Sequence, residues 1–422
     1  QVGLERMVKN GAVIFAAYPN EPWPGQAAVV TSRVHIYKGN WRGSWILAER
    51  TCTHISAFLS DREDWSPKRL KANEGRSFQG SIVLGMGFVL AEHEARAMIV
   101  ADPRNAEVLF PYLNGEDLNS SPDQKASRWV INFWDWPEHQ AKEHILPYQR
   151  VQELVKPERE RLNDTNPTSR RRKEKWWQFG ADAKNLYHAI GYGDLFVKHP
   201  TGWKHIKRPL GRVLLVARVS KTLAFSFVNA RSVFADQTVV FSFEEAGYFA
   251  LLQSSIHSVF AWQHSSKLKN DLRYSPSDAF GTFPFPDAQY LRKGSIIDTH
   301  GEFYHATRAS FMRERGIGLT RFYRRFHDLD DSDPQIITLR ELHRQIDVAV
   351  SEAYGWDTLD LGHDFHKVPY LPENDRLRYT ISEPARFEIL RRLAALNKEQ
   401  YEEEVRQGLQ KTGAERETHD EE

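Results

Sequence analysis

The sequence predicts an α+β fold in three consecutive parts, and three observations predict it. Short strand-like apolar runs fill the stretch up to about residue 60. A second set of such runs lies between 195 and 243 and leads directly into a helical pattern. After Phe283-Pro284-Phe285-Pro286 the chain turns to amphipathic helices. These changes of character place boundaries at 1–60, 61–290 and 291–422. A length of 422 residues agrees, being long for one compact domain.

In the first part, Ala12 to Ala17 is a short apolar run closed by a Pro-rich turn from Pro19 to Pro24. Ala27 to Thr31, Val34 to Tyr37 and Trp45 to Leu47 are further strand candidates, with Gly39 ending the third run. They suit the edge of an α/β sheet but do not make a whole domain. Residues 61–80 are charged and irregular. Ser81 to Leu84 reads as a strand leading into Gly85-Met86-Gly87, and Ala91 to Val100 as a helix stopped by Asp102-Pro103. Leu109 to Leu113 reads as a loop entry, Trp129 to Trp134 as a strong strand, and His139 to Leu162 as one polar helix. Residues 163–175 read as a linker: turn-rich Asn163 to Ser169, then a basic run from Arg170 to Lys175 broken only by Glu174.

The β region holds Val213 to Val219, Leu223 to Val228 and Thr238 to Phe243. A helix is expected over 244–263, with Leu251, Leu252, Ser255, Ile256, Val259 and Phe260 on one face. The third part carries helices over 303–315, 334–354 and 384–407. In the second, Ile336, Leu339, Leu342, Ile346, Ala349 and Ala353 form a stripe. Ser382 is placed to cap the last, with Pro384 in its first turn.

Composition excludes several classes. With 27% charged and 41% hydrophobic residues, the chain reads as an ordinary globular protein. One cysteine, Cys52, excludes a disulfide framework and a cysteine-built zinc site, and reads as a structural thiol compatible with a reducing cytoplasm. No apolar run approaches the roughly 20 residues of a membrane span, and the first residues resemble no targeting peptide. Gln1 stands where an initiator methionine is expected, so the start was processed or the chain is a piece of something longer. The net charge is +1, but residues 401–422 carry three basic and eight acidic groups. An acidic tail of −5 therefore masks a body of +6.

The motifs for chemistry are mostly missing. Gly85-Met86-Gly87 lacks the third glycine of a dinucleotide loop, since Leu90 stands there; a tight turn is the better reading. Asn166-Pro167 is followed by Thr168 and Ser169, not by the second proline and aromatic residue of an amino-methylating loop. No Glu-x-Lys of a nuclease occurs, and Asp-x-Lys occurs twice, at Asp123 and Asp182, as chance allows. His363-Asp364-Phe365-His366, with Asp357 and Asp360, has no metal-site spacing and reads as a turn capped by Asp with Gly362. There is no Gly-x-Ser-x-Gly elbow.

What is present is basic side chains interleaved with amides and aromatics. One set is Arg218, Ser220 and Lys221 at a strand-to-turn junction. The other is Ser265, Ser266, Lys267, Lys269, Asn270, Arg273 and Tyr274, just past a helix. Lys and Arg neutralise phosphates and donate to guanine; Asn pairs with adenine edges. The competing reading is a solvated turn with ordinary surface lysines.

Several segments then resemble a known family in its own order. Phe110-Pro111-Tyr112-Leu113-Asn114-Gly115-Glu116-Asp117-Leu118 and Arg128 to Phe133 come first. Val219-Ser220-Lys221, Ala235-Asp236-Gln237 and Leu251 to Ser255 follow. Leu272-Arg273-Tyr274-Ser275-Pro276-Ser277-Asp278 and Thr282 to Pro286 are the strongest. Together they resemble the target-recognition region of MmeI-like type IIL restriction–modification enzymes. Residues 1–45, with Trp23-Pro24-Gly25, look like the last strands of an adenine methyltransferase domain. The part from Tyr354-Gly355-Trp356 onward resembles the helical end of such methylases, including those used in phage exclusion.

The resemblance implies three parts: a remnant of an α/β methyltransferase sheet (1–60), a mixed α/β target-recognition domain (61–290) and a C-terminal helical domain with an acidic tail (291–422). It implies that the cofactor and catalytic motifs lie upstream, so this chain alone has no catalytic, cofactor or metal residues. S-adenosylmethionine would serve the parent enzyme, which methylates adenine in a specific sequence after flipping the base. Partners would be double-stranded DNA and the upstream methyltransferase domain of the same parent, not a membrane, in the cytoplasm. The implied DNA contacts are Ser220, Lys221, Lys267, Lys269, Asn270 and Asp271, with Arg273 and Tyr274, which match the motif itself and fit a structural role equally well. The rival reading is a protein-interaction scaffold of a defence complex; a third is a small intact enzyme.

Overall fold

The computed structural model describes residues 2–22, 30–57, 59, 66–163, 165–204, 208–268, 271–368, 370–371 and 373–410. The chain forms two compact units, Gln1–Pro67 and Lys68–Glu422. The expected boundaries near 60 and 290 thus meet one division at 67, with 68–290 and 291–422 inside one unit.

The first unit opens with an unanticipated helix, α1 (Val2–Lys9). Its Leu4 and Val8 pack on a small core of Ile14, Ala17 and Ile55. A four-stranded sheet follows: β1 (Ala12–Pro22), β2 (Val30–Lys38), β3 (Trp45–Leu47) and β4 (Arg50–Cys52), in the order β2-β1-β3-β4. Strand β1 does not stop at Ala17. It continues through Pro19 with a register shift between Tyr18 and Glu21, where proline offers no N–H to the ladder. The rest of the expected turn, 23–24, and most of the candidate strand 27–31 lie outside the described residues. The Cys52 thiol donates to the His54 carbonyl at 3.3 Å, as a structural thiol would.

The second unit begins with β5 (Ser77–Gln79). Ser81 to Leu84 is not a strand: only Ser81 and Ile82 make isolated bridges, to Ala235 and Ala181. Gly85 then turns at φ 138°, and β6 (Val89–Leu90) leads to α2 (Glu92–Ala101). β7 (Leu109–Leu113), α3 (Gly115–Ser120) and β8 (Arg128–Ile131) come next. The single helix expected over 139–162 is three: α4 (Glu138–Ala141), α5 (Ile145–Leu154) and α6 (Lys156–Glu160). Pro157 removes an interior N–H and ends α5. Gly85 and Gly87 pack against it: a Cβ on Gly87 would lie 2.5 Å from that of Leu154. They form a tight packing turn.

The expected linker at 163–175 is instead a helix, α7 (Pro167–Glu174). Asn166 caps it by accepting the Ser169 N–H at 2.8 Å, with Pro167 in the first turn. Behind it Trp176 and Trp177 are buried. α8 (Lys184–Ala189) leads to the β region: β9 (Arg212–Ala217), β10 (Val219–Ser220), β11 (Phe225–Asn229), β12 (Val233–Phe234) and β13 (Thr238–Phe241). These build one sheet in the order β11-β9-β13-β5 and another in the order β12-β7-β8-β6.

The helix expected over 244–263 is broken at Ser254 into α9 (Ala246–Gln253) and α10 (Ser255–His264). Ser254 leaves helical geometry and accepts the His257 N–H; the buried Asp347 carboxylate takes the Ser255 N–H at 2.7 Å. The short strands β14 (Ser266–Leu268) and β15 (Asp271–Arg273) follow. The helical part holds α11 (Ile296–Arg315), α12 (Leu319–Phe326), α13 (Pro334–Ala353), the hairpin β16 (Asp364–Lys367) and β17 (Leu377–Thr380), and α14 (Glu383–Arg406). Asp360 accepts the Gly362 N–H before β16, so the expected turn is present but Asp364 to His366 is strand.

These helices pack directly on the β region. α11 lies along α9, and a Cβ on Gly301 would come 2.3 Å from the Ala246 carbonyl, so only glycine permits that approach. The stripe of α13 is buried from Ile336 to Ala349. Ser382 caps α14 as expected. From α14, Asn397 brackets the Lys68 backbone, accepting its N–H and donating to its carbonyl, each at 2.8 Å, and donates to Thr282 O. Glu404 accepts the N–H groups of Lys71 and Ala72.

Candidate nucleic-acid interface

The two basic sets come together in a three-stranded sheet of order β10-β15-β14. Val219 pairs with Arg273 and Ser220 with Leu272; Ser266 pairs with Arg273, Lys267 with Leu272 and Leu268 with Asp271. Directly opposed residues share a face, so the sheet sorts the candidates by side. Ser220 and Lys267 flank buried Leu272 on one face. Val219, Ser266, Leu268, Asp271 and Arg273 occupy the other. All three residues of β14 are exposed, Leu268 at 51%. β14 is the exposed edge of this sheet and β15 its centre, so Lys267 and Arg273 lie on strands, not on a basic loop.

Each candidate has a distinct setting. Arg273 is exposed, and among the described residues no hydrogen bond or ion pair engages its guanidinium. Asp271 is half-buried. The Ser220 hydroxyl is committed locally, donating to the Thr222 carbonyl at 2.8 Å. Lys221 is exposed and lies 3.6 Å from the Asp375 carboxylate. Lys267 donates to the Tyr370 carbonyl at 3.3 Å and sits 6.0 Å from the Trp262 ring. Desolvation lowers the pKa of its ammonium, although the residue as a whole is exposed. Lys269 and Asn270 lie outside the described residues.

Tyr274 requires a correction. It is 1% exposed, its N–H is held by the Arg218 carbonyl, and its hydroxyl lies 3.0 Å from His257 Nε2. Its ring meets Phe225 and Phe241 edge-on. It shares the inward face with Leu272 and packs the core, so it cannot touch DNA.

Sequence reasoning missed Tyr370, Asp375 and Arg378, which lie beside the basic residues. They are about a hundred residues or more away in the chain, in the hairpin β16–β17, and no local pattern marks them. A cavity of about 70 Å³ lies beside them, lined among others by Lys221, Trp262, Tyr370 and Arg378. Among the described residues no group of His, Cys, Asp and Glu is arranged to hold a metal ion. Among them, too, no helix is long and apolar enough to cross a membrane.

Comparison with known proteins bears on this region. Residues 198–287 match the family model described as "MmeI, target recognition domain". That span contains all eight candidate contacts. No curated protein matches the sequence. Among solved structures, the type IIL restriction–modification enzyme MmeI in complex with DNA superimposes with a TM-score of 0.62 at 16% identity. The match covers 93% of this chain and 47% of that one, so the chain spans about half its length. At that identity the likeness is one of fold. Residues 198–287 thus match the MmeI target recognition domain, within a chain whose α+β fold is similar to part of a type IIL restriction–modification enzyme.

Proposed function

We propose that the chain is the sequence-specific DNA recognition module of a site-specific adenine methyltransferase in a restriction–modification or phage-exclusion system. The observation that carries this reading is the β10-β15-β14 sheet inside the matched domain, which exposes Arg273 on one face and gathers Lys221 and Lys267 around it. In the major groove of B-DNA, Arg and Lys donate to guanine. The surrounding lysines neutralise phosphates. The chain reads and grips; methyl transfer from S-adenosylmethionine belongs to a methyltransferase domain upstream in the parent protein, and the setting is the cytoplasm.

Titration of a labelled random-sequence duplex at several salt concentrations tests this. Binding should weaken with a log–log slope of about −0.9 per neutralised phosphate. Failure to bind any duplex at low salt overturns the reading and favours a protein-interaction scaffold. Incubation with duplex and labelled S-adenosylmethionine should give no methylated DNA.

A further inference from the structure

Lys221, just past β10, and Lys267, on the face of β14 opposite Arg273, are both held from outside the recognition sheet. Lys221 meets Asp375, and Lys267 meets the Tyr370 carbonyl. Both anchors lie between β16 and β17, where described residues are fastened to one another. Val368 N–H donates to the Arg376 carbonyl at 2.8 Å, and Arg376 Nε donates to the Leu371 carbonyl at 2.9 Å. Arg378, on β17 and only 12% exposed in its side chain, holds the far oxygen of Asp375 at 3.4 Å. The Tyr370 ring lies against Trp262 of α10, centroids 5.4 Å apart, with the Arg386 guanidinium 5.6 Å from it. The anchors are therefore fixed to the scaffold.

A lysine that only neutralises phosphate needs no such anchor. Its ammonium is a strongly hydrated point charge on a flexible stem. Donation to a base edge is different, because it demands one direction. A carboxylate beside a phosphate contact also works against binding, so its presence makes sense if it aims the lysine.

We infer that Asp375, between β16 and β17, is a positioning residue for DNA reading that aims Lys221. The inference rests on the DNA-recognition reading. Under it, specificity is assembled from both parts of the second unit.

The test begins with selection of a preferred duplex from a random-sequence pool by the unaltered chain. Affinities for that duplex and for a scrambled one are then compared in Asp375→Asn, which keeps shape and removes charge. The ratio of the two affinities should fall about tenfold, with the salt slope unchanged. Asp375→Glu should restore part of it. In a Lys221→Ala background, Asp375→Asn should change nothing further. Equal strengthening toward both duplexes would mean that Asp375 merely repels phosphate, and would overturn the inference, as would an unchanged ratio. If Asp375→Asn lowers the unfolding temperature, Asp375→Ser at the same partly exposed site gives the same readout, a fallen ratio supporting the inference and a preserved one overturning it. Absence of any binding by the unaltered chain defeats the DNA reading itself, whereas intact discrimination in the variants defeats only this inference.

Discussion

Arg273 and Tyr274 are neighbours in one motif and end on opposite sides of the same short strand. Arg273 points to solvent, and Tyr274 to the rings of Phe225 and Phe241. Strand alternation makes this unavoidable once Leu272 is buried. The two should separate cleanly on mutation. Arg273→Ala should cost roughly 1–3 kcal/mol of duplex affinity with little change in unfolding free energy. Tyr274→Phe should do the reverse. It leaves the buried His257 Nε2 without its partner, costing about 1–3 kcal/mol in urea unfolding, with DNA affinity preserved. Equal loss of binding in both would contradict the assigned faces.

At the level of elements, β11 is the edge of its sheet, and an edge strand must dispose of its outward backbone groups. Here side chains do so. Gln253 accepts the Phe225 N–H at 3.0 Å, buried Arg308 donates to the Phe225 carbonyl, and His305 Nε2 accepts the Phe227 N–H at 3.1 Å. Replacing Arg308 by Met strips that carbonyl and the Tyr323 hydroxyl of their donor. A loss of roughly 3 kcal/mol or more in unfolding free energy is expected.

His305 must be unprotonated to accept, and burial pushes its pKa down to about 3; burial alone does the same to His257. Both rings bind protons more weakly folded than unfolded. Their contribution is complete above the unfolded value of about 6.5 and is lost as pH falls from there toward 3. Each ring then costs about 1.4 kcal/mol per pH unit. Urea midpoints should therefore drop markedly between pH 7 and 5.5, and unchanged midpoints would show that these rings are protonated in the folded state.

At the scale of the molecule, Asn397 and Glu404 hold the first residues of the second unit from its last helix. Asn397→Ala removes three bonds to backbone and is expected to cost about 2–4 kcal/mol. A chain ended at residue 290 should lose cooperative unfolding altogether, checked by calorimetry. Periodicity revealed the α13 stripe and the Ser382 cap, because both are local patterns. It missed the break at Ser254, where the apolar spacing runs on undisturbed and the freed Ser255 N–H is taken by Asp347, 92 positions from Ser255. It mistook α7 for a linker, because a polar helix capped by Asn166 carries the same residues as a turn. In the site, the basic residues were legible as composition. Their sorting onto two faces waited on the β-register, and Asp375 waited on contacts no local pattern carries.

The hold of α14 on Lys68 also has a timing consequence. The two partners are 329 positions apart. At a synthesis rate of about 5–20 residues per second, the start of the unit waits on the order of half a minute for its fastening. Tyr370 and Asp375 also emerge well after Lys221 and Lys267. During translation β10, β14 and β15 thus emerge before Lys221 and Lys267 can meet Asp375 and Tyr370, and the start of the unit is fastened only once α14 has left the ribosome.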